Sequence, residues 1–230
     1  MDERPLQFVR VWDLPVRVFH WLLLALVTAS VATGLTGGNA MTWHMRSGYV
    51  ILALVAFRII WGLVGSTTAR FSDFLHGPGR VIGFAKDLLS RRPAHHLGHN
   101  PLGGWMVLVL LLAILFQAGS GLFANDDIST EGPLYRYIGK DLSDRLTSLH
   151  KLNIKLIYGL VALHVAAVIY HWLGRGEELV RAMFTGVKAW PAGAPVSELR
   201  FSSARLALVL FIAAAFAVWL LVSQPVSQPY

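Results

Sequence analysis

The 230 residues contain no cysteine, and Asp, Glu, Lys and Arg together make up only 14%. The first absence excludes thiolate iron–sulfur clusters, cysteine zinc sites, disulfides and the C-x-x-C-H attachment of c-type haem. The second, beside a hydrophobic content of 55%, excludes an ordinary soluble domain. No internal repeat and no flavin or nicotinamide motif is present, so chemistry of those kinds belongs to partners. The net charge of +7 could suggest nucleic acid. In a chain of long apolar runs, however, a basic excess marks cytoplasmic loops, and nucleic acid is not expected as a partner.

The apolar residues collect in five runs that can cross a bilayer: Val18–Leu35, Met45–Val64, Trp105–Ala124, Leu149–Leu173 and Leu206–Val222. Arg10 and Arg17 before the first run imitate a signal peptide. No A-x-A site closes the run and further spans follow, so it reads as a retained helix. Lysine and arginine fall in three regions: Arg4, Arg10 and Arg17; then Arg70, Arg80, Lys86, Arg91 and Arg92; then Arg175, Arg181, Lys188, Arg200 and Arg205. With five spans these lie on one side, which places the N-terminus in the cytoplasm and the tail, Ser223–Tyr230, outside. The other side carries the short turn Thr36–His44 and an acidic loop with Asp126, Asp127, Glu131, Asp141 and Asp144. Phe71–Asn100 alternates apolar and charged residues at helical spacing and is expected at the cytoplasmic interface. The Pro-Ala-Gly-Ala-Pro run at 191–195 reads as a linker before the fifth span.

Four of the nine histidines lie in or at the ends of spans. His20 is near the cytoplasmic start of span one and His44 at the outer start of span two. His150 and His164 share span four. Fourteen residues separate that pair by about 21 Å along a helix and about 40° around it, so one face offers an imidazole near each membrane surface. Two level-matched pairs result: His20 with His164, and His44 with His150. Paired imidazoles on facing helices suit haem iron. Zinc would want three or four ligands at one place. A single histidine at a span end is an ordinary interfacial residue, but that reading does not explain two matched pairs. Arg58 stands fourteen residues after His44 on the same face. It either meets a haem propionate or snorkels to the headgroups. His171 reads as interfacial, with a quinone contact as the alternative. His95, His96 and His99 read as solvated loop residues rather than a metal cluster. Thr28, Ala29, Ala32, Gly34, Gly119 and Gly121 allow close approach of a helix or a haem.

The segment Trp12-Asp13-x-Pro15-Val16-Arg17-x-x-His20-Trp21 resembles the opening of bacterial cytochrome b561 proteins and of the cytochrome b subunits of nickel–iron hydrogenases. Trp43-His44-x-x-x-Gly48-Tyr49, Arg58-Ile59-x-Trp61-Gly62, Gly98-His99-Asn100-Pro101 and the His150/His164 pair extend the likeness over residues 7–190. The resemblance implies an all-α integral membrane four-helix bundle holding two b haems, ligated by His20, His44, His150 and His164. Arg58 and Arg17 stand as further candidate cofactor-binding residues. The fifth transmembrane helix expected at Leu206–Val222 departs from the four-helix pattern. The domain plan is therefore 1–190 for the di-haem membrane domain, 191–205 for a linker, and 206–230 for the extra helix and tail.

The expected function is electron transfer in the bacterial inner membrane. A periplasmic partner, such as a c-type cytochrome or a hydrogenase, would exchange electrons with quinone through two haem b groups. The acidic loop would dock a basic donor. Two rival readings stand beside it. One is a superoxide oxidase, with Arg46, Arg145, Lys151 and Lys155 steering the anion inward. The other is a non-redox helical anchor or transporter. Direction of flow and oligomeric state stay open.

Overall fold

The computed structural model describes residues 5–89, 96–128, 130–193, 196 and 198–224. Arg4, Arg91, Arg92 and His95, linker residues 194 and 195, and the tail from 225 onward lie outside the described residues.

Among the described residues the chain is mostly helical, with one strand pair. Five helices are long and apolar enough to cross a membrane: α1 (Leu14–Thr36), α2 (Met41–Val64), α5 (Pro101–Gly121), α6 (Lys140–Arg175) and α8 (Ala204–Val222). Between α2 and α5 lie α3 (Phe71–Phe74) and α4 (Pro78–Leu89), and α7 (Leu179–Thr185) follows α6. Each predicted run therefore becomes a helix that begins earlier than hydropathy alone marks, while the third ends at Gly121, short of the predicted Ala124. Asp13 starts α1 as an N-cap, accepting the Val16 N–H at 2.7 Å, and Pro15 fits the first turn. Asn100 caps α5 in the same way, through Gly103 N at 2.7 Å. Helix α6 begins at Lys140, so His150 lies inside the helix rather than at its start.

The strands are an addition to the helical expectation. β1 (Leu6–Arg10) pairs antiparallel with β2 (Val187–Pro191), from Leu6 opposite Pro191 to Arg10 opposite Val187. The ribbon continues into Val11 and Trp12, whose N–H groups both donate to Gly186 O. Gly186 supplies that carbonyl from a left-handed conformation, φ 85°, that ends α7.

Two compact units make up the chain. The first comprises Met1–Val18, Ile59–Leu110 and Leu160–Ala207. Its interior holds Val11, Trp61 and Phe74, all almost wholly buried. Thr68 Oγ1 donates to Val11 O at 2.6 Å, and Thr67 and Arg200 exchange hydrogen bonds through Thr67 N to Arg200 O and Arg200 N to Thr67 Oγ1. The second comprises Phe19–Arg58, Leu111–Gly159 and Leu208–Tyr230. Its core is Leu52, Ala53, Leu122, Leu134 and Val218, with Tyr49, Leu115 and Phe123 packed around them. Most of the large apolar side chains of α6 and α8 face outward, as a lipid environment requires.

Candidate functional site

His44 and His150 come together within the second unit. Their ring centroids are 6.1 Å apart with planes at 79°. Each ring is held by the same device. His44 Nδ1 is 2.8 Å from Ser30 O and 3.2 Å from Ser30 Oγ. His150 Nδ1 is 2.9 Å from Gln117 O and 3.2 Å from Ser120 Oγ. A carbonyl can only accept, so both Nδ1 atoms donate, and in the neutral imidazole this leaves the lone pair on Nε2. That is the tautomer a metal ligand needs, with the partner that metal-binding imidazoles customarily have at their other nitrogen.

Glycine makes each seat possible. Four residues after the Ser30 carbonyl comes Gly34, where a Cβ would lie 2.8 Å from His44 Nδ1. Four residues after Gln117 comes Gly121, where a Cβ would lie 3.1 Å from His150 Cε1. Both are among the small residues singled out from sequence. At Gly119 a Cβ would meet nothing, so that glycine has no such part. Asn153 donates to Ala113 O and Gln117 Oε1, bracing the strip of α5 that supports His150. No sequence signal marked Ser30, Gln117, Ser120 or Asn153, because a backbone carbonyl leaves no compositional trace.

These residues fit a bis-imidazole haem. An axial nitrogen lies about 2 Å from its metal and a ring centre about 1 Å further, so two trans imidazoles place their centres about 6 Å apart. The observed spacing meets that requirement, and the protonation pattern leaves the correct atoms for iron.

His20 and His164 are each half-buried, and they belong to different units. His20 sets its ring edge-on to Trp21 at 5.0 Å. Arg58 is only 2% exposed. That burial removes the snorkelling alternative, since a snorkelling guanidinium would reach water. The Arg17 guanidinium donates to Phe184 O at the end of α7.

The other histidines differ from the loop reading. His99 packs between Trp12 at 4.7 Å and Phe74 at 4.6 Å, and His96 sets its ring against Phe84 at 5.2 Å. Among the described residues no group of three potential metal ligands exists. His171, expected at the interface, is only 8% exposed. Its Nε2 is 3.4 Å from Asn100 Nδ2 and its Nδ1 3.6 Å from Glu177 Oε1. Glu177 also faces Arg175 at 3.7 Å and Lys188 at 2.7 Å, and Lys188 donates to His96 O at 2.8 Å. Burial alone would raise the Glu177 pKa, but the His171 imidazole and the Lys188 ammonium outweigh it and hold the carboxyl at about 2.

The acidic loop is in large part self-neutralised. Lys140 bridges Asp127 and Asp144, and Arg136 stands 3.8 Å from Glu131. Asn125 fastens the loop to α6 through Ser143 and Asp144.

The profile of the prokaryotic cytochrome b561 family matches residues 11–186. The chain is 26% identical over 212 residues to a probable Ni/Fe-hydrogenase B-type cytochrome subunit of Rhodobacter capsulatus, covering 77% of this chain and 80% of the relative. The corresponding protein of Rhizobium leguminosarum bv. viciae is 22% identical over 216 residues, with 78% and 88% covered. The probable Ni/Fe-hydrogenase 1 B-type cytochrome subunit of Escherichia coli (strain K12) is 22% identical over 217 residues, with 80% and 92% covered. No solved structure matches the chain. The match spans well over half of the sequence and takes in the paired imidazoles and four of the five long apolar helices, and the chain accordingly belongs to the prokaryotic cytochrome b561 family, as a multi-pass membrane b-type cytochrome of electron transport whose cofactor is haem b.

Proposed function

We propose that the chain carries two b haems and passes electrons between a redox partner outside the bacterial inner membrane and the quinone pool within it. The N-terminus faces the cytoplasm, following the basic segments around Arg10, Arg80 and Arg181. Residues 1–190 form the di-haem domain, 191–205 a linker, and 206–230 an extra helix with its tail. The observation that carries the reading is the His44/His150 pair, spaced at 6.1 Å with both Nδ1 atoms engaged by carbonyls. The names of the hydrogenase cytochrome subunits it is similar to support a hydrogenase as the outer partner. The largely paired charges of the acidic loop favour such a partner over a strongly basic c-type cytochrome.

His44 and His150 hold the outer haem, and His20 and His164 hold the cytoplasmic one. This second pairing rests on helical spacing and on the family likeness. A bound b haem supplies a reversible one-electron carrier of fixed axial ligation. The Ser30 and Gln117 carbonyls fix both outer imidazoles as Nδ1–H tautomers, so neither ring must turn or lose a proton to present Nε2. The buried Arg58 offers its charge to a propionate of the cytoplasmic haem, where desolvation makes a bidentate contact strong. Arg17 is a further candidate for a propionate, its guanidinium already committed in part to Phe184 O.

A pyridine-haemochrome titration of the purified chain tests the proposal. Two haems per chain are expected, with ferric haem reduced by added quinol or ferrous haem oxidised by quinone. One haem per chain would remove the His20/His164 pair, and no exchange with any quinone would remove the quinone step.

A further inference from the structure

A second site lies on the connection between α2 and α5. Because α2 ends at Val64 and α5 begins at Pro101, this connection must emerge at one face of the bilayer. There, α4 borders an open cavity of about 620 Å³, within the range of small-ligand sites. Arg80 and His76 line one part of it, with Arg80 Nη1 3.5 Å from His76 Nδ1. Asp87 lines another part. It follows Arg80 by seven residues, so the two sit on one face of α4 about 10 Å apart along the axis. Between them Gly83 leaves the floor bare, since a Cβ there would meet nothing within 4 Å. Phe84 and His96 supply an aromatic wall, their rings edge to face at 5.2 Å.

The cavity thus has a cationic end, an anionic end and a flat floor. An anion alone would be opposed by Asp87, and a cation alone by Arg80. The complementary ligand carries both charges, with the negative group toward Arg80. The apolar surface beside the cavity adds a second requirement. Pro101 lines the cavity and opens α5. Leu102, Trp105 and Val109 then follow at helical spacing on one face, each more than a third exposed. The Trp105 indole donates to His76 O at 2.9 Å, which ties the top of this stripe to the cationic end of the cavity.

We propose that the cavity seats the headgroup of a zwitterionic phospholipid of the phosphatidylethanolamine class. The phosphodiester lies on Arg80 and His76 and the ammonium on Asp87. The acyl chains run down Leu102, Trp105 and Val109. Arginine suits the phosphate because its planar fork donates two parallel hydrogen bonds. The carboxylate is what separates this headgroup from phosphatidylglycerol, which has no cation to offer it, and from phosphatidylcholine, whose quaternary nitrogen has no N–H to donate.

Native mass spectrometry of the delipidated full chain tests this, with dioleoyl phosphatidylethanolamine, phosphatidylglycerol and phosphatidylcholine titrated in turn. The wild type is expected to bind phosphatidylethanolamine tightest. Arg80→Ala is expected to lose about tenfold in affinity, the equivalent of one charge-assisted hydrogen bond. Asp87→Asn is expected to erase the preference over phosphatidylglycerol while keeping lipid bound. Arg80 is exposed and Asp87 half-buried at the cavity rim, and circular dichroism melts are expected to match the wild type, which separates lost binding from lost folding. Unchanged binding in Arg80→Ala, or an unchanged preference in Asp87→Asn, would overturn the proposal. Displacement of the lipid by millimolar inorganic phosphate would overturn it too, since the site would then read free phosphate.

Discussion

Asp13 and Trp61, 48 positions apart, share a buried hydrogen bond: the indole Nε1–H donates to Asp13 Oδ2 at 3.0 Å. The other carboxylate oxygen caps α1 through Val16 N. One side chain therefore starts the helix that carries His20 and ties it to the end of the helix that carries His44. Two of the motifs that carry the sequence resemblance, Trp12-Asp13 and Arg58-Ile59-x-Trp61, meet at this contact. Asp13→Ala removes a cap, at about 1 kcal/mol, and strands a buried indole donor, at about 1–3 kcal/mol. Asp13→Asn keeps one acceptor oxygen, which can serve the cap or the indole but not both, and is expected to cost less than Asp13→Ala. Reversible unfolding in mixed micelles would measure both, and equal losses would show that the carboxylate charge, not the hydrogen bonds, matters.

The glycine seats give a second prediction. Gly34→Ala places a methyl 2.8 Å from His44 Nδ1, and Gly121→Ala places one 3.1 Å from His150 Cε1. Neither ring can yield without leaving its carbonyl. Both variants are expected to lower the haem content from two per chain toward one, Gly34→Ala more completely, because its clash is closer. The remaining haem should keep its wild-type spectrum. A full complement of two haems in Gly34→Ala would show that His44 can be reseated and that Ser30 does not fix it.

Hydropathy and length sufficed to find all five long helices, since a bilayer demands a run of apolar residues whatever the fold around it. The sequence expectation that His44 and His150 lie at one level agrees with their rings being 6.1 Å apart. The rest was hidden for reasons that differ from residue to residue. β1 pairs with a segment near residue 190, and two five-residue strands carry too little alternation to announce such a pairing. Arg58 reads the same from sequence whether it snorkels or is buried, and only its 2% exposure decides. Lys188 and Glu177 look like ordinary loop charges, yet they form the buried cluster around His171, which no periodicity could place.

That cluster makes the third prediction, which concerns acid stability. Glu177 titrates at about 2 in the folded chain, against 4.5 ordinarily. A carboxyl depressed by folding stabilises the native state above its unfolded pKa and loses that contribution as pH falls through the folded one. The contribution is at most ~3 kcal/mol and nearer ~2 with solvent screening allowed for. It is present at pH 5 and above and declines between about pH 4.5 and about pH 2. Glu177→Gln is expected to be less stable at neutral pH and to show a flatter stability profile across that window. Micellar unfolding at a series of pH values would test it. A variant whose profile parallels the wild type would mean that Lys188 and His171 do not hold the carboxylate as described.

The last prediction separates the two haems by their ligands. Residues that act as one unit are strongly non-additive, whereas independent units add. If His44 and His150 hold one haem, His44→Ala removes it and His150→Ala in the same chain removes nothing more. The haem content then stays near one per chain in both single variants and in the double. The same holds for His20 and His164 with the other haem. Combining His44→Ala with His20→Ala crosses the pairs and is expected to leave no haem at all. Haemochrome ratios across these seven variants distinguish this scheme from any other pairing. A single shared haem would give a content near zero in every single variant. Pairing of His20 with His150 is also told apart by one further double variant: His44→Ala combined with His20→Ala would still empty both sites, but His20→Ala combined with His150→Ala would retain one haem.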